Sequence, residues 1–460
     1  MKFPLALAAV SSLVTATAVS HHAPLKPRII VLTDITQASW EPDDMQSMVH
    51  LFASADLFEI EALIATSGWS IPPEPLDPNH IRDVIESYRS DLPNLMKRSS
   101  QAAFEKSEDK QKIGYWPSPE YLESIIRNGY PERGIGSIGD GKETDGSNLI
   151  IDIVDQADER PIYVGVWGGA NVLAQSIWDV RRTRSEAELS AFLSKLRVYA
   201  ITDQDRDQGA PYTNSSQFWM RRTFPELFYI SSESAWVAYG RTIRDTYWDS
   251  HYVTGIQGKG ALGKKYPKWR YIAEGDSPSF AYVWPGLNDP EDPRQSSFAG
   301  KFSWELTPDN VTSTWTDSSV QAAAQSKESV TSLLPYHIND FIARMDWAAN
   351  GTGNRNPVAI LQGEAGFSPV VLKARPGDVV KLSAEGSRDE DGDLLIFDWY
   401  HDSGAGGYHG GLCLEGKDTP NLSLKIPRNA SRTKIHIVSR VTDSGTPPLA
   451  SFRRAIISVN

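Results

Sequence analysis

Thr33-Asp34 is followed after a short loop by Glu41-Pro42-Asp43-Asp44, which crowds four carboxylates into one stretch of chain. Carboxylates gathered this way repel one another unless a cation sits among them. An all-oxygen donor set suits hard Ca²⁺, which takes about six to eight oxygen ligands. The plainer reading is that Asp43 and Asp44 are first-turn helix residues, where the helix dipole favours negative charge. A second acidic group, Asp203, Asp205 and Asp207 in ITDQDRDQG, follows an apolar run. Alternate carboxylates beyond a strand can hold sugar hydroxyls, or they can form a solvated loop. Trp69, Trp116, Trp167, Trp219 and Trp284 are either rings on which a sugar stacks or core residues.

These side chains need a frame. Over residues 28–347 apolar β-branched runs alternate with amphipathic stretches, the pattern of a mostly parallel sheet covered on both faces. Residues 28–33 predict a buried strand, 43–55 a helix and 59–66 the next strand, which makes one βαβ unit. Residues 147–155 (helix), 161–167 (strand) and 171–181 (helix) predict a second unit, and 196–202 and 227–231 two more strands. In an open α/β sheet, ligands bind beyond the carboxyl ends of the strands, and Asp34 follows the first of them. From Pro357 the chain changes to short segments broken by Gly, Pro, Asp and Ser. Candidate strands at 370–372, 379–382, 394–400, 422–426, 433–441 and 452–459 predict an immunoglobulin-like or PKD-like β-sandwich over 357–460. The polar, glycine-bearing stretch 350–356 (NGTGNRN) is the expected linker, so the first domain spans 28–349.

The 460 residues are 40% hydrophobic and 10% aromatic, enough for one large core and a smaller one. A net charge of −12 repels phosphate backbones, which argues against nucleic-acid polymers as partners. Met1 and Lys2 precede an apolar run and then small residues, the order of a secretory signal peptide over residues 1–20. That run is too short to span a bilayer. Sequons at Asn214, Asn310, Asn350, Asn421 and Asn429 fit a secreted, glycosylated protein. Cys413 is the sole cysteine, so no intrachain disulfide forms. Oligomerisation is left open.

Strand, Thr33-Asp34, loop and Asp43-Asp44 opening a helix resemble the amino-terminal signature of the calcium-dependent nucleoside hydrolases. Val166 to Asn171 (VWGGAN) is similar to that family's glycine-glycine turn, and Glu274-Gly275-Asp276 stands where the family supplies its last metal aspartate. With TDI, EPDD, ITDQD, EGDSPSF and FIARMDW, the region looks closer still to the Sde182-like branch. Those are described as cellulose-binding proteins with a nucleoside-hydrolase-like domain followed by a β-sandwich. The resemblance implies Ca²⁺ held by Asp34, Asp44, Asp276 and the main-chain oxygen of Trp167, with Asp34 also the general base. Asp43 would contact the sugar, with Glu41, Asn171, Asp203, Asp205 and Glu274 as further substrate-binding candidates. It also implies attack by an activated water on an anomeric carbon, with inversion.

The sequence departs from that signature in several places. Leu32 replaces the family's first aspartate, the loop before Glu41 is longer, and the glycine-glycine turn is one residue shorter. Gly275 stands where some members carry a histidine that helps the leaving base. Trp40 and Glu41 are extra and suit a glycan. Three readings follow: a secreted glycosidase, a non-catalytic carbohydrate-binding protein, and an extracellular nucleoside hydrolase.

Overall fold

The computed structural model describes residues 24–69 and 76–460, so the expected signal peptide lies outside the described residues. The first domain is built on eight strands: β1 (Arg28–Thr33), β2 (Glu59–Ala65), β3 (Ile126–Asn128), β4 (Ile162–Val166), β5 (Leu196–Ile201), β6 (Phe228–Ser232), β7 (Ser303–Leu306) and β8 (Ser313–Thr316). They lie in the order β3-β2-β1-β4-β5-β6-β8-β7, all parallel except the β7–β8 pair at one edge. Every residue of β1 and β2 is buried, as strands covered on both faces must be. One apolar layer packs Met48, Phe52 and Phe58 with Phe280 and Phe341, and the other packs Ile30, Ile64 and Val164 with Leu173 and Ile177.

The strand order reverses between β1 and β4, and such a switch point opens a crevice at the carboxyl ends. Charges at the opposite end of the sheet are neutralised in pairs. Arg28 Nε meets Glu61 Oε1 at 2.6 Å and Arg160 Nη1 meets Glu59 Oε2 at 2.7 Å. Beyond the carboxyl end of β1 it is carboxylates that gather instead.

Helix α1 (Asp43–Ala53) follows β1, and α2 (Asn171–Thr183) follows β4. The long α3 (Val320–Asn350) closes the domain and ends where Gly351 takes the left-handed conformation, φ 68°. The second domain packs a sheet β10-β13-β12 against a sheet β11-β14-β15-β9. Its strands are β9 (Val370–Ala374), β10 (Val379–Ser383), β11 (Leu395–His401), β12 (Leu414–Glu415), β13 (Asn421–Lys425), β14 (Thr433–Asp443) and β15 (Ala450–Val459). Trp399, Leu382, Leu424, Ile437 and Ile457 fill the space between the sheets. The β12 pairing and the β7–β8 hairpin go beyond the sequence reading.

The two domains meet along a seam. Phe452 packs edge-on against Phe298 with ring centroids 5.9 Å apart. The buried Arg454 donates to Leu287 O at 3.0 Å and pairs with Asp402 at 3.0 Å, while Asp402 also accepts from Ser296 N at 2.9 Å.

Candidate functional site

Thr33 ends β1, and its hydroxyl donates to the Asp44 carboxylate while accepting from Ile35 N at 3.1 Å. The loop after the strand is thereby tied to the first turn of α1. Pro42 precedes that turn, leaving Asp43 and Asp44 as its first residues. Asp276 arrives from far along the chain through a turn in which Glu274 takes φ 52°, a left-handed backbone uncommon for a side-chain-bearing residue. One oxygen each from Asp43, Asp44 and Asp276 lie within 4.8 Å of one another. Gly275 lets this happen, since a Cβ there would stand 2.5 Å from Asp43 Oδ2.

Asp34 is buried and held between two glycine turns. A Cβ on Gly168, in the turn after β4, would lie 2.6 Å from Asp34 Oδ1, and a Cβ on Gly68, in the turn after β2, would collide with Oδ2. The carboxyl ends of three adjacent strands thus converge on this one side chain.

The electrostatics are those of crowded negative charge. Burial pushes the Asp44 and Asp276 carboxyls well above their ordinary range; the charges of Asp34 and Asp43 add to both shifts, and that of Asp44 adds to the Asp276 shift. Burial also raises Asp43. Glu41 is pushed up to about 9, first by burial and then by Asp43 and Asp34, with Arg270 pulling the other way. Asp276 Oδ2 is buried without a hydrogen-bond partner. A buried carboxylate oxygen left unpaired is costly. An oxygen-only donor set that includes an unpartnered buried acceptor fits a hard divalent cation such as Ca²⁺.

The other expected residues divide. The Trp167 main-chain oxygen accepts from Gln204 Nε2, and its indole donates to Ser279 Oγ at 2.6 Å. Asn171 opens α2 and donates to Glu132 O at 2.9 Å, and its buried Oδ1 is unpartnered. Asp205 has both oxygens engaged by protein donors: Ala170 N at 2.8 Å on one, and Gln217 N at 3.1 Å with Ser216 Oγ on the other. Burial and then Asp203 raise it to about 7. Asp203 accepts from Ser215 Oγ at 2.7 Å and lies 3.7 Å from Arg221 Nη2. Glu274 is fully buried and turned away from the acidic cluster, held by Tyr266 Oη at 2.6 Å and His50 Nδ1 at 2.9 Å. Asp203, Asp205 and Glu274 therefore brace the turns around the crevice. His50, Gly68 and Arg270 were not singled out in the sequence, although Ser67-Gly68 at the carboxyl end of β2 is the kind of strand-end turn that marks a crevice.

Trp116, Trp167 and Trp284 are core residues. Near the site, the exposed aromatics are Trp40 and Tyr271, 48% and 58% exposed, with the Arg270 guanidinium 5.7 Å and 4.9 Å from their ring centres. Arg270 also acts electrostatically on Glu41, which places this platform beside the acidic cluster.

Residues 28–302 match a family model described as the nucleoside hydrolase-like domain of cellulose-binding Sde182, and residues 379–459 match one described as the C-terminal domain of the cellulose-binding protein Sde0182. A solved nucleoside hydrolase-related protein from Saccharophagus degradans, described as associated with carbohydrate metabolism, is 33% identical with a TM-score of 0.80. That match covers 95% of this chain and 100% of its own. The PKD domain of the KIAA 1837 protein is 16% identical, covering 24% of this chain and 90% of its own, with a TM-score of 0.17. No curated protein matches the chain.

Proposed function

Because the chain belongs to the cellulose-binding Sde182 family with its nucleoside hydrolase-like domain, we propose that it is a secreted glycosidase that cleaves a glycosidic bond in a plant or microbial glycan. The carrying observation is the convergence of Asp43, Asp44 and Asp276 beyond β1, beside the exposed rings of Trp40 and Tyr271. Asp44 and Asp276, with Asp43 or Asp34 completing the set, would hold Ca²⁺. The ion supplies positive charge that makes a nearby water more acidic.

The protein's own groups do the rest. Asp34, fixed between Gly68 and Gly168, takes the proton from the attacking water. The water oxygen bonds to the anomeric carbon as the bond to the leaving oxygen breaks, through an oxocarbenium-like state, and the leaving oxygen takes up a proton from solvent to depart as the alcohol. Attack from the face opposite the leaving group inverts the centre. Trp40 and Tyr271 offer flat apolar surface to sugar C–H faces, and Glu41 and Asp43 offer acceptors to hydroxyls. The absence of a histidine at Gly275 disfavours a nucleoside, whose leaving base needs a proton.

A second reading, a carbohydrate-binding protein without turnover, draws on the engagement of Trp167 O by Gln204, which occupies one expected metal ligand. Parent and Asp34→Asn are to be incubated with a panel of polysaccharides and nucleosides, with and without chelator. Product released by the parent, lost in Asp34→Asn and abolished by chelator, is the expected result. Retention of a glycan with no product from any substrate would establish the binder instead.

A further inference from the structure

In a chain with a net charge of −12, acids outnumber bases and surface cations find partners. Arg184 meets Asp155 at 2.6 Å, Arg197 meets Glu291 at 2.8 Å and Lys265 meets Asp83 at 3.0 Å. Lys268 and Arg270 depart from that habit. Both are exposed, and among the described residues neither reaches a carboxylate at ion-pair distance. Glu41 feels the Arg270 charge from farther off.

Arg270 is nevertheless fixed in place. Its Nη1 donates to Ser39 O at 3.3 Å and to Trp40 O at 2.5 Å, which anchors the side chain to the loop after β1. Its Nε and Nη2 donate to no acceptor among the described residues. The guanidinium stands between two exposed rings, 5.7 Å from the centre of Trp40 and 4.9 Å from that of Tyr271. Behind them Arg244 is already neutralised: it pairs with Asp245 at 2.7 Å and donates to Tyr271 O at 2.7 Å, which holds the backbone of Tyr271. Lys268 Nζ continues the shelf 5.7 Å from the Trp269 ring centre, and Trp269 is seated edge-on against Trp248 with centroids 6.4 Å apart.

Aromatic faces alone suffice for a neutral sugar. A fixed guanidinium with two free N–H edges between such faces adds a fork that matches a carboxylate in a bidentate way. A hexuronate carries its carboxylate at the edge of the pyranose ring, so a ring stacked on Trp40 or Tyr271 brings that group to Arg270. Nucleic-acid phosphates suit the same fork, but they bring a denser run of negative charge past Glu41 and the aspartates. We propose that Trp40, Arg270 and Tyr271, continued by Lys268 on Trp269, form a subsite for a uronate residue, so that the glycan taken is an acidic polysaccharide. The place of this subsite beside a scissile bond rests on the glycosidase reading above; the recognition of the carboxylate does not.

The test measures binding by calorimetry in calcium, with full-length parent, Arg270→Gln and Lys268→Gln. The probes are trimers of galacturonate, mannuronate and glucuronate, their methyl esters, and a single-stranded DNA oligonucleotide; each ester differs from its acid only in the lost charge. At least one uronate should bind about tenfold tighter than its ester, as a charge-assisted bidentate bond allows. Arg270→Gln should erase that ratio and leave the affinity for the ester unchanged. Lys268→Gln should cut the ratio about threefold, as an exposed charge allows. It breaks no hydrogen bond among the described residues, so it carries the test if melting shows Arg270→Gln to be unfolded. No uronate preferred over its ester, a preference undiminished in the folded variants, or DNA bound tighter than every uronate, overturns the proposal. A uronate that is bound with this preference but cleaved by neither parent nor Asp34→Asn counts against the glycosidase reading and supports this one. Cleavage of a neutral glycan without any uronate preference does the reverse.

Discussion

Asp44 and Asp276 are buried beside each other with like charges, so each destabilises the other unless a cation intervenes. Asp44→Asn removes one of those charges, and its Oδ1 can still accept from the Thr33 hydroxyl. In chelator the variant should therefore melt at or above the parent, by up to about 1–2 kcal/mol of stability. In millimolar calcium the order should reverse, because ligand binding to the folded state stabilises only the parent. Calorimetry with and without calcium reads both. At this scale the acidic residues after β1 were legible because they are close in sequence and chemically alike. The bracing roles of Glu274 and Asp205 were not, since His50, Tyr266 and Ser216, which hold them, lie at distances in the chain that no local pattern reveals.

The turns after β1, β2 and β4 act as one device, and glycine is its working part. A methyl group at residue 168 would stand 2.6 Å from Asp34 Oδ1, also within 2.8 Å of its Cβ, so the carboxylate must move. Gly168→Ala should lower turnover of whatever glycan the parent cleaves by about a hundredfold, because small displacements of a catalytic group are that costly. Calcium binding through Asp44 and Asp276 should persist, and parallel rate and binding measurements separate the two effects. The βαβ units were readable because each of these strands carries a continuous apolar run, IIVL in β1, ALIA in β2 and IYVGV in β4. The β7–β8 hairpin was not: each strand has four residues, and its Trp304–Trp315 pair, centroids 5.5 Å apart, reads locally as a loop with stray aromatics.

The whole molecule depends on the seam between its domains, and part of that seam titrates. His436 is packed beside Arg454, and burial followed by the Arg454 charge holds its pKa down to about 4. In the unfolded chain the value is about 6.5. Between those values the unfolded state takes up a proton that the folded state refuses. The stability this contributes is complete above about pH 6.5 and is lost as pH falls toward 4. His436→Gln should flatten the stability-against-pH curve in that window, measured by urea unfolding at several pH values. The two-domain plan was legible from the change of composition at Pro357. The seam was not, because Arg454, Asp402 and Leu287 meet only through the tertiary fold.

The proposed hydrolysis depends on one cation at the carboxyl end of β1. Crystals grown in millimolar calcium, with data collected at a wavelength where calcium scatters anomalously, should give a peak enclosed by the carboxylates of Asp43, Asp44 and Asp276. A map with no peak there, with those three side chains ordered as they are now, would contradict it.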